Sequence, residues 1–184
     1  MTIKKTKSKP TPTTKPTPIS TLEIELALAK YYNVRTNIIV PNVSWGLSGM
    51  HECDILVVSG SGYATEIEIK ISKADFLKDF EKSHGHVDRK NRIKTFYYAM
   101  PKELYIKVKD LIPENAGVIV CERHLRNYSE RFPKNHSVYA KVEKTAVNIK
   151  NAKKLTDEEI LKVAKLGCMR IFTLKAKILT LKNK

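Results

Sequence analysis

The sequence predicts an α/β domain with a mixed central β-sheet flanked by α-helices. Three observations support this prediction. Apolar β-branched runs of strand length alternate with segments of helical periodicity. A glycine-rich link, Ser59–Gly62, joins two of these runs and is typical of a β-hairpin. The length of 184 residues suits one domain with a core of ordinary size.

Two parts of the chain differ in composition. Residues 1–19 are rich in Lys, Thr and Pro and contain almost nothing apolar, which predicts a disordered basic tail. Such an arm either follows a phosphate backbone or only keeps the protein in solution, and the sequence leaves both open. Residues 20–184 are predicted to form a single domain that ends in a long basic helix.

The first predicted elements lead to the hairpin. A helix capped by Ser20 or Thr21 ends near Asn33, with Leu22, Leu26 and Ala29 as its apolar stripe. A strand follows at 37–40 and is expected to close at Pro41. The hairpin strands are predicted at 54–58 and 63–71.

The second half of the chain repeats this alternation. We predict a helix at 73–81, a strand at 95–100, a helix at 102–111, a strand at 117–121 and a strand or hairpin at 138–149. The capping box at 156–159 opens the last helix. The apolar face of that helix consists of Ile160, Ala164, Gly167, Ile171, Leu174 and Ile178.

Charge and cysteine usage narrow the class of protein. Lysines and arginines outnumber acids 34 to 19, a formal net charge of +15, and five of the lysines lie in the first fifteen residues. Because about ten excess positive charges remain outside the tail, the bias points to a polyanionic partner. Three scattered cysteines predict reduced, core-lining thiols in a cytoplasmic protein. No apolar run has the length of a membrane helix, so no membrane partner is expected.

The second hairpin strand contains most of the candidate catalytic residues. Glu66, Glu68 and Lys70 alternate with isoleucines, so the three charged side chains share one face of the strand. The hairpin can bring Asp54 of the preceding strand beside Glu68. Adjacent carboxylates repel unless a cation lies between them, and hard oxygen ligands select Mg²⁺, with Mn²⁺ as a substitute. A lysine two residues beyond a metal-binding acid suits hydrolysis of a phosphodiester.

This arrangement resembles the PD-(D/E)xK motif of the restriction-endonuclease-like nucleases. Similarity to MmcB-like DNA repair proteins and their phage relatives extends over roughly residues 23–178. The segments that carry it are Glu68–Ser72, Ala74–Phe76, Phe96–Pro101, Ala116–Val120 and the long C-terminal basic helix.

The resemblance implies a restriction-endonuclease-like mixed sheet and a role for each motif residue. Asp54 and Glu68 would bind Mg²⁺, and Lys70 would assist the nucleophile. Members of the family often add a helical glutamate, a role for which Glu23 and Glu25 compete, with Glu25 favoured by helical phase. The alternative for either residue is a solvated charge on the helix face. Cys53 departs from the motif proline. The chain also lacks the glutamine and tyrosine pair of some exonucleases, so an endonuclease is favoured.

Two further sets of polar residues flank the motif. Glu66 is an extra acid that either supports a metal ligand or is solvent-exposed, and exposure is favoured. A basic stretch follows the motif and is a candidate phosphate groove, against the alternative of a solvated helix and loop. Its members are Lys73, Lys78, Lys82, His84, His86, Arg89, Lys90, Arg92 and Lys94.

The leading interpretation is a Mg²⁺-dependent deoxyribonuclease of DNA repair or phage DNA processing, acting in the cytoplasm at the nucleoid of a bacterial or phage-infected cell. The alternative is a DNA-binding accessory protein of the same fold that cleaves little or nothing. RNA as the nucleic acid and a homodimeric assembly are both left open.

Overall fold

The computed structural model describes residues 17–43, 52–81, 92–124 and 137–182. Four helices and six strands lie in these ranges. The helices are α1 (Thr21–Tyr31), α2 (Lys73–Glu81), α3 (Lys102–Val108) and α4 (Asp157–Lys182). The strands are β1 (Ile38–Val43), β2 (Cys53–Val58), β3 (Ala64–Ile69), β4 (Ile93–Pro101), β5 (Gly117–His124) and β6 (Ser137–Lys144). The predicted tail at 1–16 lies outside the described residues. Pro18 and Ile19 already contact the domain, since the Pro18 carbonyl accepts a hydrogen bond from Arg123 and Ile19 packs against the core.

The six strands form one sheet in the order β1-β2-β3-β4-β5-β6. Pairing is antiparallel between β1 and β2, β2 and β3, and β5 and β6, while β4 runs parallel to both β3 and β5. Helices α2 and α3 make the two crossovers that parallel strands require. The prediction of a mixed central sheet flanked by helices is therefore confirmed.

Helices cover both faces of the sheet. Ile24 and Leu28 of α1 pack with Ile67 and Ile119 on one face, and α2, α3 and α4 lie on the other face. The predicted apolar stripe of α1 is wrong, because Leu22 and Leu26 are exposed while Ile24, Ala27 and Leu28 are buried. Both sets have helical spacing, and only the position of the sheet decides which one is covered.

The edge strand β1 is longer than its sequence predicts. Pro41 does not close it, because the strand continues to Val43 and Pro41 pairs with Ile55 of β2. A proline is tolerated there because one side of an edge strand has no neighbour to which an N–H must donate. The next residue, Asn42, has a left-handed backbone with φ of 52°. Other strand and helix ends shift by a few residues, and residues 109–111 form a 3₁₀ turn after α3.

Two glycines occupy places where other residues would be strained or would clash. Gly62 has φ of 84° in the predicted hairpin turn, which is confirmed by the hydrogen bond from Gly62 N to Ser59 O. Gly117 opens β5 beneath Tyr97, and a Cβ atom there would lie 2.3 Å from Tyr97 Cε1 and 2.7 Å from Ala146 N. No side chain larger than hydrogen fits at Gly117 without displacement of its neighbours.

The start of α4 is fixed to the sheet. Thr156 and Glu159 form the predicted capping box, with Thr156 N donating to Glu159 Oε2 at 2.8 Å. The other carboxylate oxygen of Glu159 lies 3.0 Å from Arg92 Nη2. Two of the three thiols are buried, as predicted, while Cys168 on α4 is exposed and corrects that prediction. None of the helices within the described ranges is long and apolar enough to cross a membrane.

Candidate functional site

Asp54 and Glu68 lie next to each other on β2 and β3. The antiparallel register that pairs Ile55 with Ile67 brings Asp54 opposite Glu68. The Asp54 side chain is partly buried, and its Oδ2 accepts a hydrogen bond of 2.7 Å from the backbone N–H of Ile69. This bond ties the carboxylate of one strand to the backbone of the next, so its orientation is set by the sheet.

Lys70 directly follows the end of β3 and is close to Glu68. Its Nζ lies 3.4 Å from Glu68 Oε2, and the two side chains are 8% and 13% exposed. The Lys70 backbone N–H donates to Ala99 O at 2.9 Å, which continues the pairing of β3 with β4. Charges this far from bulk water interact more strongly than surface charges, so the acid and the lysine form one electrostatic unit.

Glu66 is not exposed, which corrects the prediction made for it. Its exposure is 1%, and it pairs in register with Leu56 on one side and Phe96 on the other. β3 is an interior strand with packed elements on both faces, so its charged face is shielded from water at Glu66, while Glu68 nearer the strand end keeps partial exposure. The hydrophobic character of β2 and β4 on both sides of β3 is the sequence signal for this burial.

The pKa of the Cys53 thiol is affected by all three nearby carboxylates. Burial raises the pKa of Cys53 strongly, and the negative charges of Glu66, Glu68 and Asp54 raise it further. The three carboxylates therefore act on one interior location at the start of β2. Because its pKa is raised, Cys53 is a protonated, inert thiol at neutral pH.

The structure separates the two candidate glutamates of α1. Glu23 completes the capping box with Ser20 and lies within hydrogen-bond distance of Arg123, and these contacts with Ser20 and Arg123 lower its pKa. The pKa of Glu25 is raised, first by burial and then by the charge of Asp54. Only Glu25 of this pair is electrostatically coupled to the predicted site.

The predicted basic groove is only partly described. Lys73 and Lys78 are exposed on α2, which begins three residues after Lys70. Lys94 lies near the opposite end of β4, five residues or roughly 17 Å from Ala99, whose carbonyl accepts from the Lys70 N–H, and Arg92 directly precedes the strand. Arg92 pairs with Glu159, and the Lys94 ammonium lies 4.0 Å from the ring centre of Tyr63. The other members, Lys82, His84, His86, Arg89 and Lys90, lie outside the described residues.

A depression of about 510 Å³ lies away from these acids. It is lined by residues 34–38, the hairpin turn and the start of α4. The hairpin turn is at the far end of β2 and β3 from Asp54 and Glu68. We base the candidate site on the charged cluster, because the depression contains none of its members.

Asp54 and Glu68 have the chemistry of magnesium ligands. Mg²⁺ keeps several waters and uses one or two protein carboxylates together with substrate phosphates. Asp54 and Glu68 supply two such carboxylates on adjacent strands. Within the four described ranges no group of three or more His, Cys, Asp and Glu side chains is arranged to hold a metal.

Comparison with known proteins extends the description of the fold. No protein-family model matches the chain, and no curated protein sequence matches it. Among solved structures, the SPO1766 protein of unknown function from Silicibacter pomeroyi matches with a TM-score of 0.54 and 17% identity. The match covers 82% of this chain and 85% of that protein. At this level of identity the chain is similar to that protein in fold alone.

Proposed function

We propose that the chain is a Mg²⁺-dependent nuclease that hydrolyses phosphodiester bonds in DNA. The observation that carries the proposal is the set formed by Asp54, Glu68 and Lys70, in which two carboxylates of adjacent strands lie beside a lysine ammonium 3.4 Å from one of them. The resemblance to the PD-(D/E)xK motif and the net charge of +15 support it.

Each residue of the set has a distinct task in this proposal. Asp54 and Glu68 would hold the ion, and Asp54 is oriented for this by the Ile69 amide. When bound, a divalent cation supplies positive charge at the scissile phosphate and makes water more acidic. Lys70 places a second positive charge beside Glu68, where it stabilises the charge that develops on a phosphate oxygen. Glu25 interacts with Asp54 and adds negative charge that favours cation binding.

The test is cleavage of linear, single-stranded, nicked and branched DNA in the presence of Mg²⁺, Mn²⁺ or EDTA. We expect metal-dependent cutting that falls about 100-fold or more in Asp54→Asn, Glu68→Gln and Lys70→Met. Asn retains an oxygen that can accept the Ile69 N–H, so Asp54→Asn removes charge with the least structural change. DNA affinity should stay near that of the unmodified chain.

Matched controls come from the exposed ion pair between Glu158 and Lys162 of α4. Glu158→Gln and Lys162→Met make the same chemical changes far along the chain and should cut normally. Tight DNA binding without cutting of any substrate would instead favour the accessory-protein alternative. Faster cutting of RNA than of DNA would reassign the substrate.

A further inference from the structure

The C-terminal half of α4 presents apolar side chains to solvent. The first half is packed against the sheet, with Val163 and Leu166 buried, and Arg170 Nη2 donates to Asn42 O at 2.6 Å. Every described residue from 171 to 182 is exposed. Large apolar side chains on one protruding helix mark an interaction surface.

Four of the six large apolar side chains exposed between residues 171 and 182 share one stripe of α4, and Phe172 and Leu179 lie outside it. Ile171, Leu174, Ile178 and Leu181 are 55%, 59%, 44% and 71% exposed. They follow the alternating 3-4-3 spacing of the a and d positions of a heptad, and Ile160, Ala164 and Gly167 continue it towards the N-terminus. Isoleucine at a with leucine at d favours a two-stranded parallel coiled coil. We call Ile171, Leu174, Ile178 and Leu181 the heptad seam.

The charges beside the heptad seam select the partner. Lys175 and Lys182 occupy e positions, and Arg170 and Lys177 occupy g positions. In a parallel pair of identical helices, Lys177 of each helix would face Lys182 of the other, so like charges would meet on both sides. A helix with acids at e and g would form attractive pairs at the same places, so the pattern repels a second copy and attracts an acidic partner.

We propose that residues 171–182 of α4 bind an acidic amphipathic helix of another protein as a two-stranded coiled coil. The partner helix carries Ile or Leu at its a and d positions and Glu or Asp at e and g. Since α4 is already helical and anchored to the sheet through Val163 and Leu166, only the partner must be ordered on binding. The interaction is independent of Asp54, Glu68 and Lys70 and does not require nuclease activity.

The experiment uses the full chain and two synthetic three-heptad peptides as probes. Both have Ile at a and Leu at d, one with Glu and the other with Lys at every e and g position. Fluorescence anisotropy should show the acidic peptide binding at least about tenfold more tightly than the basic one. Raised salt should reduce this preference, because the pairs beside the seam are solvent-exposed.

Variants of exposed residues provide matched controls. Leu174→Gln with Ile178→Gln removes two members of the heptad seam and should abolish peptide binding. Leu161→Gln makes the same change at an exposed position of α4 outside the seam and should leave binding unaltered. Circular dichroism melting of each variant checks that the fold is retained.

Three results would overturn the proposal. Equal affinity for both peptides, or affinity unaffected by the double substitution, would remove the selectivity of the seam. A micromolar dimer in sedimentation equilibrium that the double substitution dissociates would assign the seam to a second copy. Binding to phosphatidylglycerol vesicles but not to the acidic peptide would assign the basic, apolar helix to a lipid surface.

Discussion

The Asp54 carboxylate is held in place by a hydrogen bond from a backbone amide of the neighbouring strand. The Ile69 N–H stabilises the carboxylate at a fixed place, close to Glu68 and to the buried Glu66. Concentrated negative charge of this kind is costly in a partly buried place, and the Lys70 ammonium beside Glu68 offsets part of that cost. Under the proposed function, a bound divalent cation would lower the remaining repulsion.

Substitution of Glu25 tests the charge cluster through its effect on the free energy of unfolding. Burial and Asp54 raise the pKa of Glu25 above its ordinary value of 4.5, so the folded protein holds this proton more tightly than the unfolded chain. Stability therefore falls as pH rises from about 4.5 through the raised pKa, and ionised Glu25 remains a cost above it. We expect Glu25→Gln to raise the free energy of unfolding at pH 7, by less than about 1 kcal/mol because the side chain is partly exposed.

Urea unfolding at pH 4 and pH 7 measures this effect. The gain from Glu25→Gln should shrink at pH 4, where Glu25 is protonated in both states. It should also shrink in an Asp54→Asn background, since Asp54 contributes to the shift. A gain that grows towards pH 4 would contradict the electrostatic coupling.

The sequence predicted which charged residues share a face of β3, but it did not predict how deeply each of them is buried. Period-2 alternation places Glu66, Glu68 and Lys70 on one face without specifying what covers it. The burial of Glu66 depends on β4 lying parallel to β3 and on helices that cover that face. Both depend on residues that are distant from Glu66 in the sequence. The proximity of Glu25 to Asp54 likewise depends on how α1 crosses the sheet.

At the scale of elements, local signals were the most reliable. The hairpin turn at Ser59–Gly62 and the capping box at Thr156 and Glu159 depend on neighbours in sequence, and both are confirmed. The apolar stripe of α1 and the end of β1 depend on packing, and both predictions were wrong. The apolar face predicted for α4 is divided, since its first half packs against the sheet and its second half is exposed.

The start of α4 provides a test at this scale with a control one residue away. Glu159 accepts a hydrogen bond from the Thr156 N–H and forms an ion pair with Arg92, which directly precedes β4. Within the described residues, Glu158 forms an ion pair with Lys162 alone. Glu159→Ala should lower the free energy of unfolding by about 1–2 kcal/mol, because a helix cap and a link to the sheet are lost. Glu158→Ala should leave the urea midpoint close to that of the unmodified chain. Equal effects of the two substitutions would show that the cap contributes little.

For the whole molecule, positive charge is spread over more than one region. The first sixteen residues carry five lysines, α2 contributes exposed Lys73 and Lys78, and α4 adds a basic C-terminal half. A polyanion that reaches several of these regions would release counterions at each of them. Under the proposed function, long-range attraction of DNA would come from the protein as a whole, and cleavage would depend on the acidic cluster.

Removal of residues 1–16 tests how much the tail contributes to DNA binding. This deletion stops before Pro18, whose carbonyl accepts a hydrogen bond from Arg123, so the domain contact is kept. Since the tail has five lysines, the slope of log affinity against log salt for duplex DNA should become shallower by up to about 4.5. DNA binding measured between 50 and 200 mM salt, about the range where such slopes are resolved, checks this. An unchanged slope would leave the tail without a role in binding DNA.

The unusual backbone of β1 also bears on how copies of the protein behave at high concentration. A sheet edge exposes unpaired amides and carbonyls that can template a strand from another molecule, a first step towards aggregates. Pro41 offers no N–H to such a strand, and Asn42, with φ of 52°, departs from extended geometry at the next position. The Arg170 side chain of α4 also donates to the Asn42 carbonyl. These features interrupt the β1 edge at Pro41 and Asn42 and oppose intermolecular strand pairing there.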